Sequence, residues 1–173
     1  MDKLVPDKYY KSIYDVNYEK LKDEGIKCIL LDLDNTLAPV NIDSPSKALK
    51  EKINQIQSMG FKVIIMSNSP KNRVRPFKEQ INIDSAHSAK KPFSKKYKKI
   101  MKMYKLKDTE IAAIGDQLLT DILGANIAGI TSILVNPMSD TEYIWTKFNR
   151  LIEKFIYKRF EKREILVKGK YYD

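Results

Sequence analysis

Four short runs of almost unbroken apolar residues set the terms for this chain: Cys28-Ile29-Leu30-Leu31, Phe61-Lys62-Val63-Ile64-Ile65-Met66, Ile111-Ala112-Ala113-Ile114 and Ile130-Thr131-Ser132-Ile133-Leu134-Val135. A strand with one wet face alternates apolar and polar side chains, so runs without alternation predict strands buried on both faces of a parallel sheet. Helical spacing fills the intervals, with Leu49, Ile53 and Ile56 on one face and Tyr97, Ile100, Met101 and Tyr104 on another. Alternating strand and helix predicts right-handed crossovers and an α/β fold, a single doubly wound, mainly parallel sheet. Its ligand site is expected beyond the carboxyl ends of the strands. Ile81-Asn82-Ile83 is expected to add one further short strand.

At 173 residues the chain is sized for one domain, expected to span residues 1–173. A single cysteine, Cys28, excludes an internal disulfide framework and a cysteine zinc site and fits a reducing, cytoplasmic setting. The first residues carry charges where a secretory signal would be apolar. The longest uncharged run, Ile122 to Ser139, is broken by Gly124, Asn126, Gly129, Asn136 and Pro137, so no membrane span is expected. Around residues 140–165, Ile144, Phe148, Leu151, Ile152, Phe155 and Ile156 follow helical spacing with Lys147, Arg150, Lys154 and Lys158 nearby. This basic amphipathic helix is expected to pack on its own domain, the ordinary use of such a stripe, with a membrane surface as the alternative.

The net charge of +10 is unevenly placed: residues 71–107 hold thirteen basic and two acidic side chains, while the segments on either side nearly balance. That stretch reads either as a solvated lysine-coated helix or as a surface for phosphate, anionic lipid or nucleic acid. Few aromatic residues interleave with the lysines as a base-stacking platform would need.

Chemistry is concentrated where strands end. Asp32-Leu33-Asp34-Asn35-Thr36 follows the first run, and alternation sends Asp32 and Asp34 to the same side. Close carboxylates either raise a pKa or need a cation, and hard oxygen donors suit Mg²⁺. Gly115-Asp116-Gln117-Leu118-Leu119-Thr120-Asp121 brings a second acidic pair after another strand. Capping accounts for one of these acids; a divalent cation shared between neighbouring loops accounts for both. Ser67-Asn68-Ser69 follows Met66 with donors suited to a phosphoryl group, and Lys91 before Pro92 can aim an ammonium at one. Read singly, each segment is also a serviceable turn. His87 reads as a polar loop residue and Cys28 as buried packing.

In this order the segments resemble the four motifs of the haloacid dehalogenase (HAD) superfamily of phosphotransferases, carried here by Asp32 to Thr36, Ser67, Lys91 and Gly115-Asp116 with Asp121. More narrowly, the chain resembles the YqeG-type, subclass IIIA phosphatases related to phosphatidylglycerophosphate phosphatases, through Pro6-Asp7, Ser12-Ile13, Ser67-Asn68, Arg73-Val74, Lys91-Pro92, Asn149-Arg150 and above all the run from Gly115 to Asp121. Ser69 departs from the asparagine that relatives often carry, and Lys90 rivals Lys91 as the motif lysine.

The resemblance implies a HAD-like Rossmannoid fold and a Mg²⁺-dependent phosphatase. Asp32 would be the nucleophile that forms an aspartyl-phosphate, and Asp34 the general acid and then base. Mg²⁺ would be held by Asp32, the backbone carbonyl of Asp34 and Asp116. Ser67, Asn68 and Lys91 would bind the phosphoryl oxygens, with Asp121 supporting the metal water or the lysine. Asn35 and Thr36 are expected to shape the loop more than to do chemistry.

Between Thr36 and Ser67 there is room for a loop and one helix, and between Ser67 and Lys91 for a helix and a short strand, so no large cap domain is expected. An open site suits a bulky substrate. A phosphatidylglycerophosphate-like lipid at the inner face of an anionic membrane fits both the openness and the lysines. The alternatives are phosphorylated nucleic-acid ends or phosphoproteins, or a non-catalytic nucleic-acid or membrane adaptor on the same scaffold.

Overall fold

The structure, a computed structural model, describes residues 2–173. In chain order its elements are β1 (Lys8–Tyr10), α1 (Tyr18–Asp23), β2 (Cys28–Leu31), α2 (Lys47–Ser58), β3 (Lys62–Met66), α3 (Lys71–Ile81), β4 (Asp84–Ala86), α4 (Lys95–Tyr104), β5 (Ile111–Gly115), α5 (Leu123–Ala128), β6 (Thr131–Val135) and α6 (Ile144–Glu161). The strands form one sheet in the order β1-β6-β5-β2-β3-β4, with every neighbouring pair parallel. Winding runs outward from β2 through β3 to β4, then restarts on the other side with β5 and β6. The reversal between β2 and β5 opens a crevice at their carboxyl ends.

The unalternating strand sequences are explained by helices on both faces. Ile29, Leu31, Val63, Ile65 and Ile114 meet Leu49, Ile53 and Ile56 of α2 and Val74 and Phe77 of α3 on one side. Cys28, Leu30, Ile64, Met66 and Ala113 meet Tyr97 and Ile100 of α4 and Ala125 of α5 on the other. No inserted cap covers the strand ends among the described residues: only α2 and the sheet strand β3 lie between Thr36 and Ser67, and only α3 and β4 lie between Ser67 and Lys91.

The edge strand β4 differs from expectation. Ile81 and Ile83 are both buried, but Ile81 is the last residue of α3 and Ile83 the residue just before β4, with the turn between them at Asn82, whose φ of 59° lies in the left-handed region that ends helices. The strand is the polar Asp84–Ala86, whose register comes from backbone pairing of Ile64 with Asp84 and Met66 with Ala86. β1 was not expected at all, being three residues long and led by a lysine.

Helix α6 corrects a second expectation. Its inward residues are Glu153 and Phe160, both buried, and Phe160 joins Tyr9, Leu118, Ile122 and Leu134 with Ile156 and Tyr157 packed alongside. Of the residues expected to face the core, Ile144, Phe148, Leu151, Ile152 and Phe155 are exposed. Polar anchors set this rotation: Glu153 Oε1 accepts from Leu119 N–H at 3.0 Å, and Arg150 Nη1 donates to the backbone oxygen of Asp116 at 2.8 Å. Leaving one of those buried groups unpaired would cost about 1–3 kcal/mol, and more for the charged ones.

Candidate active site

Asp32 is positioned by the sheet itself. It follows β2 directly, and its N–H donates to Ile114 O of β5 at 2.9 Å. Leu31 stands opposite Ile114, so Asp116, one residue beyond β5, emerges beside Asp32 at the point where winding reverses. Asp121 arrives from the π-helical turn Leu118–Ile122, its Oδ2 accepting from Gln117 N–H at 3.1 Å. Gly115 makes room for it, because a Cβ there would overlap the Asp121 side chain.

These three acids are buried, and each offers an oxygen within 4.8 Å of those of the other two, the one grouping of this kind found among the described residues. Like charges so close oppose ionisation. Burial drives Asp32 well above the usual carboxylate range, with Asp121 and Asp116 adding to the shift and Lys91 opposing it. Burial likewise pushes Asp116 up to about 7 against the pull of Arg150.

Lys91 is the cation at the centre. Its Nζ donates to Asp32 Oδ1 at 2.6 Å, to Asp121 Oδ1 at 2.5 Å and to Met66 O at 2.9 Å. Burial alone would lower its pKa, yet Asp121 and Asp32 outweigh burial and hold the ammonium above the ordinary lysine range. Lys90 is exposed, so Lys91 alone of the pair enters the site. Asn68 fixes it there: its Oδ1 accepts from Lys91 N–H at 2.7 Å and its Nδ2 donates to Lys91 O at 3.1 Å. Ser67 is buried beside it, and its Oγ accepts from Ser69 N–H at 3.0 Å.

Asp34 stands apart from the three-acid group. Arg73 Nε donates to its Oδ1 at 2.9 Å and Ser69 Oγ to its Oδ2 at 2.5 Å, so Ser69 has a definite partner. Asp32, Asp34, Ser67, Asn68 and Lys91 all line one cavity of about 600 Å³, with Arg73, Tyr143, Trp145 and Asn149 around it. His87 is not part of that lining; its Nδ1 lies 3.3 Å from Ser88 Oγ.

Three residues matter more here than the sequence suggests. Thr36 Oγ donates to Asp116 Oδ1 at 2.9 Å and sits 3.4 Å from Asp32 Oδ2, so it joins two of the acids as well as shaping its loop. Arg150 reaches from α6 to both the carboxylate and the backbone oxygen of Asp116, and is itself held by Glu142 at 2.8 Å and Glu153 at 3.0 Å. Arg73 braces Asp34. Both arginines lie in pairs that mark the family resemblance, but nothing in their spacing assigns them a partner.

The donor set fits a divalent cation. Asp32, Asp116 and Asp121 face two cations at close range, Lys91 and Arg150, and Arg150 is shared with Glu142 and Glu153, so carboxylates outnumber cations at the site. An all-oxygen set suits Mg²⁺, and a cation among the acids relieves the repulsion that raises Asp32 and Asp116.

The family model described as mitochondrial PGP phosphatase matches residues 2–138. A Bacillus subtilis (strain 168) protein named "Probable phosphatase YqeG" is 37% identical over 153 residues, covering 88% of this chain and 89% of that protein. Phosphatidylglycerophosphate phosphatase 1, chloroplastic/mitochondrial, of Arabidopsis thaliana is 26% identical over 150 residues, which span 80% of this chain but 42% of that protein. Among solved structures, the cobalt-bound deoxy-D-mannose-octulosonate 8-phosphate phosphatase YrbI of Haemophilus influenzae superposes with a TM-score of 0.55 at 15% identity, over 78% of this chain and 90% of that one, a match of fold. By its fold and its relatives the chain is a HAD-type phosphatase, and it belongs to the mitochondrial PGP phosphatase family.

Proposed function

We propose that this phosphatase is Mg²⁺-dependent, works through an aspartyl-phosphate on Asp32, and takes a phosphatidylglycerophosphate-like lipid as its substrate. The observation that carries the reading is Lys91 Nζ, held 2.6 Å from Asp32 and 2.5 Å from Asp121 at the wall of a cavity that Ser67 and Asp34 also line. A carboxylate nucleophile, a cation for phosphoryl oxygens and a separate carboxylate for proton transfer thus share one pocket.

The Asp32 carboxylate attacks phosphorus, the bond from phosphorus to the leaving oxygen breaks, and Asp34 gives that oxygen a proton. Asp34 then takes a proton from the water that attacks the aspartyl-phosphate, releasing inorganic phosphate and restoring Asp32. Lys91 and Ser67 hold the phosphoryl oxygens through both displacements, and Asn68 holds Lys91. Asp32, Asp116 and the backbone carbonyl of Asp34, with Asp121 beside them, would hold Mg²⁺, which when bound would supply positive charge against the charge of the transferring group. Arg73 and Ser69 orient Asp34, and Arg150 and Thr36 orient Asp116. The uncapped site and the name of the Arabidopsis relative support a lipid headgroup phosphate as substrate.

The test is phosphate release by the purified full chain with Mg²⁺, first from an aryl phosphate and then from matched lipid, nucleic-acid-end and phosphopeptide substrates. Turnover is expected in wild type and absent in Asp32→Asn, with the lipid turned over fastest. Undiminished turnover in Asp32→Asn would remove the nucleophile. Preference for a nucleic-acid end or phosphopeptide would replace the lipid.

A further inference from the structure

Helix α6 has two faces with opposite fates. Inward, Arg150, Glu153 and Phe160 tie it to Asp116, to Leu119 and to the small core around Tyr9. Outward, Ile144, Trp145, Phe148, Leu151 and Phe155 form a stripe at helical spacing, each at least 55% exposed and Trp145 the most at 85%. An apolar stripe of this length on a helix is ordinarily its buried side, and an exposed patch of large apolar groups marks an interaction surface. Lys147, Lys154 and Lys158 each lie three or four positions from a stripe residue and border it with positive charge.

The same pairing of apolar and basic groups recurs just past Lys91, where Phe93 is 72% exposed amid Lys90, Lys95 and Lys96. Trp145 also lines the cavity that holds Asp32 and Lys91, so the stripe begins at the site. The charge decides the occupant. A second copy of this chain would bring another +10 and another lysine border against the first, whereas an anionic lipid surface complements both features. Among the described residues, no helix is long and apolar enough to cross a membrane.

We propose that α6 docks this protein onto an anionic bilayer, its stripe lying among the headgroups and upper acyl chains and the active-site cavity opening beside it. A phosphate carried on a lipid then reaches Lys91 without leaving its membrane. That catalytic purpose rests on the lipid reading above, while the docking itself rests on the stripe and its lysines.

The experiment mixes the full chain with vesicles of phosphatidylcholine alone or with added phosphatidylglycerol, neither of which is a phosphomonoester, so docking is read apart from chemistry. Trp145 is the sole tryptophan and therefore a built-in probe. Its emission is expected to shift to the blue, and the protein to float, with phosphatidylglycerol present, both effects weakening as salt rises. The double variant Phe148→Ser/Phe155→Ser, whose positions do not line the cavity, is expected to lose about tenfold or more in bound fraction and to keep wild-type turnover of a soluble aryl phosphate. An unshifted Trp145 emission with no flotation, equal recovery with neutral vesicles, or undiminished flotation of the double variant overturns the docking. So does a wild-type dimer in sedimentation that the double variant abolishes while neither binds vesicles. Absent aryl phosphatase activity with intact flotation would sink the proposed function and leave the docking standing.

Discussion

Arg73 Nε donates to Asp34 Oδ1 across 2.9 Å, and the other nitrogens of the same guanidinium reach the backbone oxygens of Ile42 and Pro39. One planar group thus fixes both the Asp34 carboxylate and the loop beside it. Lysine cannot copy three donors in that plane. Arg73→Lys is expected to lower kcat by about 10–100-fold, the scale on which orienting partners act, with KM little changed. Steady-state kinetics on an aryl phosphate with Mg²⁺ checks this, and an unchanged kcat would mean that Asp34 needs no such brace.

Mg²⁺ is expected to stabilise the fold, because it relieves repulsion among Asp32, Asp116 and Asp121. At about a hundred times its dissociation constant a ligand adds ~2.7 kcal/mol, roughly 5–10 °C in Tm for a chain of this size. Thermal melts with Mg²⁺ and then with excess chelator measure the rise and its reversal. Asp116→Asn is expected to cancel the Mg²⁺ dependence; a persisting rise would place the cation elsewhere.

Arg150 compensates a carboxylate with no solvent exposure, the Asp116 side chain. Removing one partner of a buried pair strands the other charge and costs about 3–5 kcal/mol. Arg150→Gln is therefore expected to lower urea stability by that order, more than a surface arginine would. A loss below about 1 kcal/mol would match an exposed pair and contradict the geometry.

Burial pushes the Cys28 thiol from 9.0 up to about 12, with Lys62 opposing weakly. The folded thiol stays neutral where the unfolded one ionises, so this group's contribution is whole below pH 9 and is lost as pH climbs toward 12. The stability difference between wild type and Cys28→Ala is expected to shrink by about 1.4 kcal/mol per pH unit above 9. Parallel urea titrations at several pH values check it, and a thiol reagent at pH 8 is expected to label Cys28 only after unfolding.

The sheet was legible because Leu30, Ile64 and Ala113 follow Ile29, Val63 and Ala112 with no polar alternation, which only a strand covered twice can tolerate. β4 was not, since Asp84-Ser85-Ala86 carries no apolar signal and is specified by the backbone of β3. That Asp32 and Asp116 meet at one sheet edge was legible from their places after strands, while Lys91 was singled out by its place before Pro92. Their partners were hidden: Arg73 and Arg150 lie on helices where a charged residue usually meets water, and only the packing of α3 and α6 decides what they touch. The stripe on α6 read as a core face, because periodicity reveals that a helix has two sides and not which of them is anchored.

Asp32 and Asp116 follow adjacent strands, yet the chain between them runs through β3 and β4 on one flank before β5 returns beside β2. No nascent or truncated form that ends before Ile111 can assemble a working centre. Turnover in this protein is consequently a gauge of finished folding, silent until the central seam has closed.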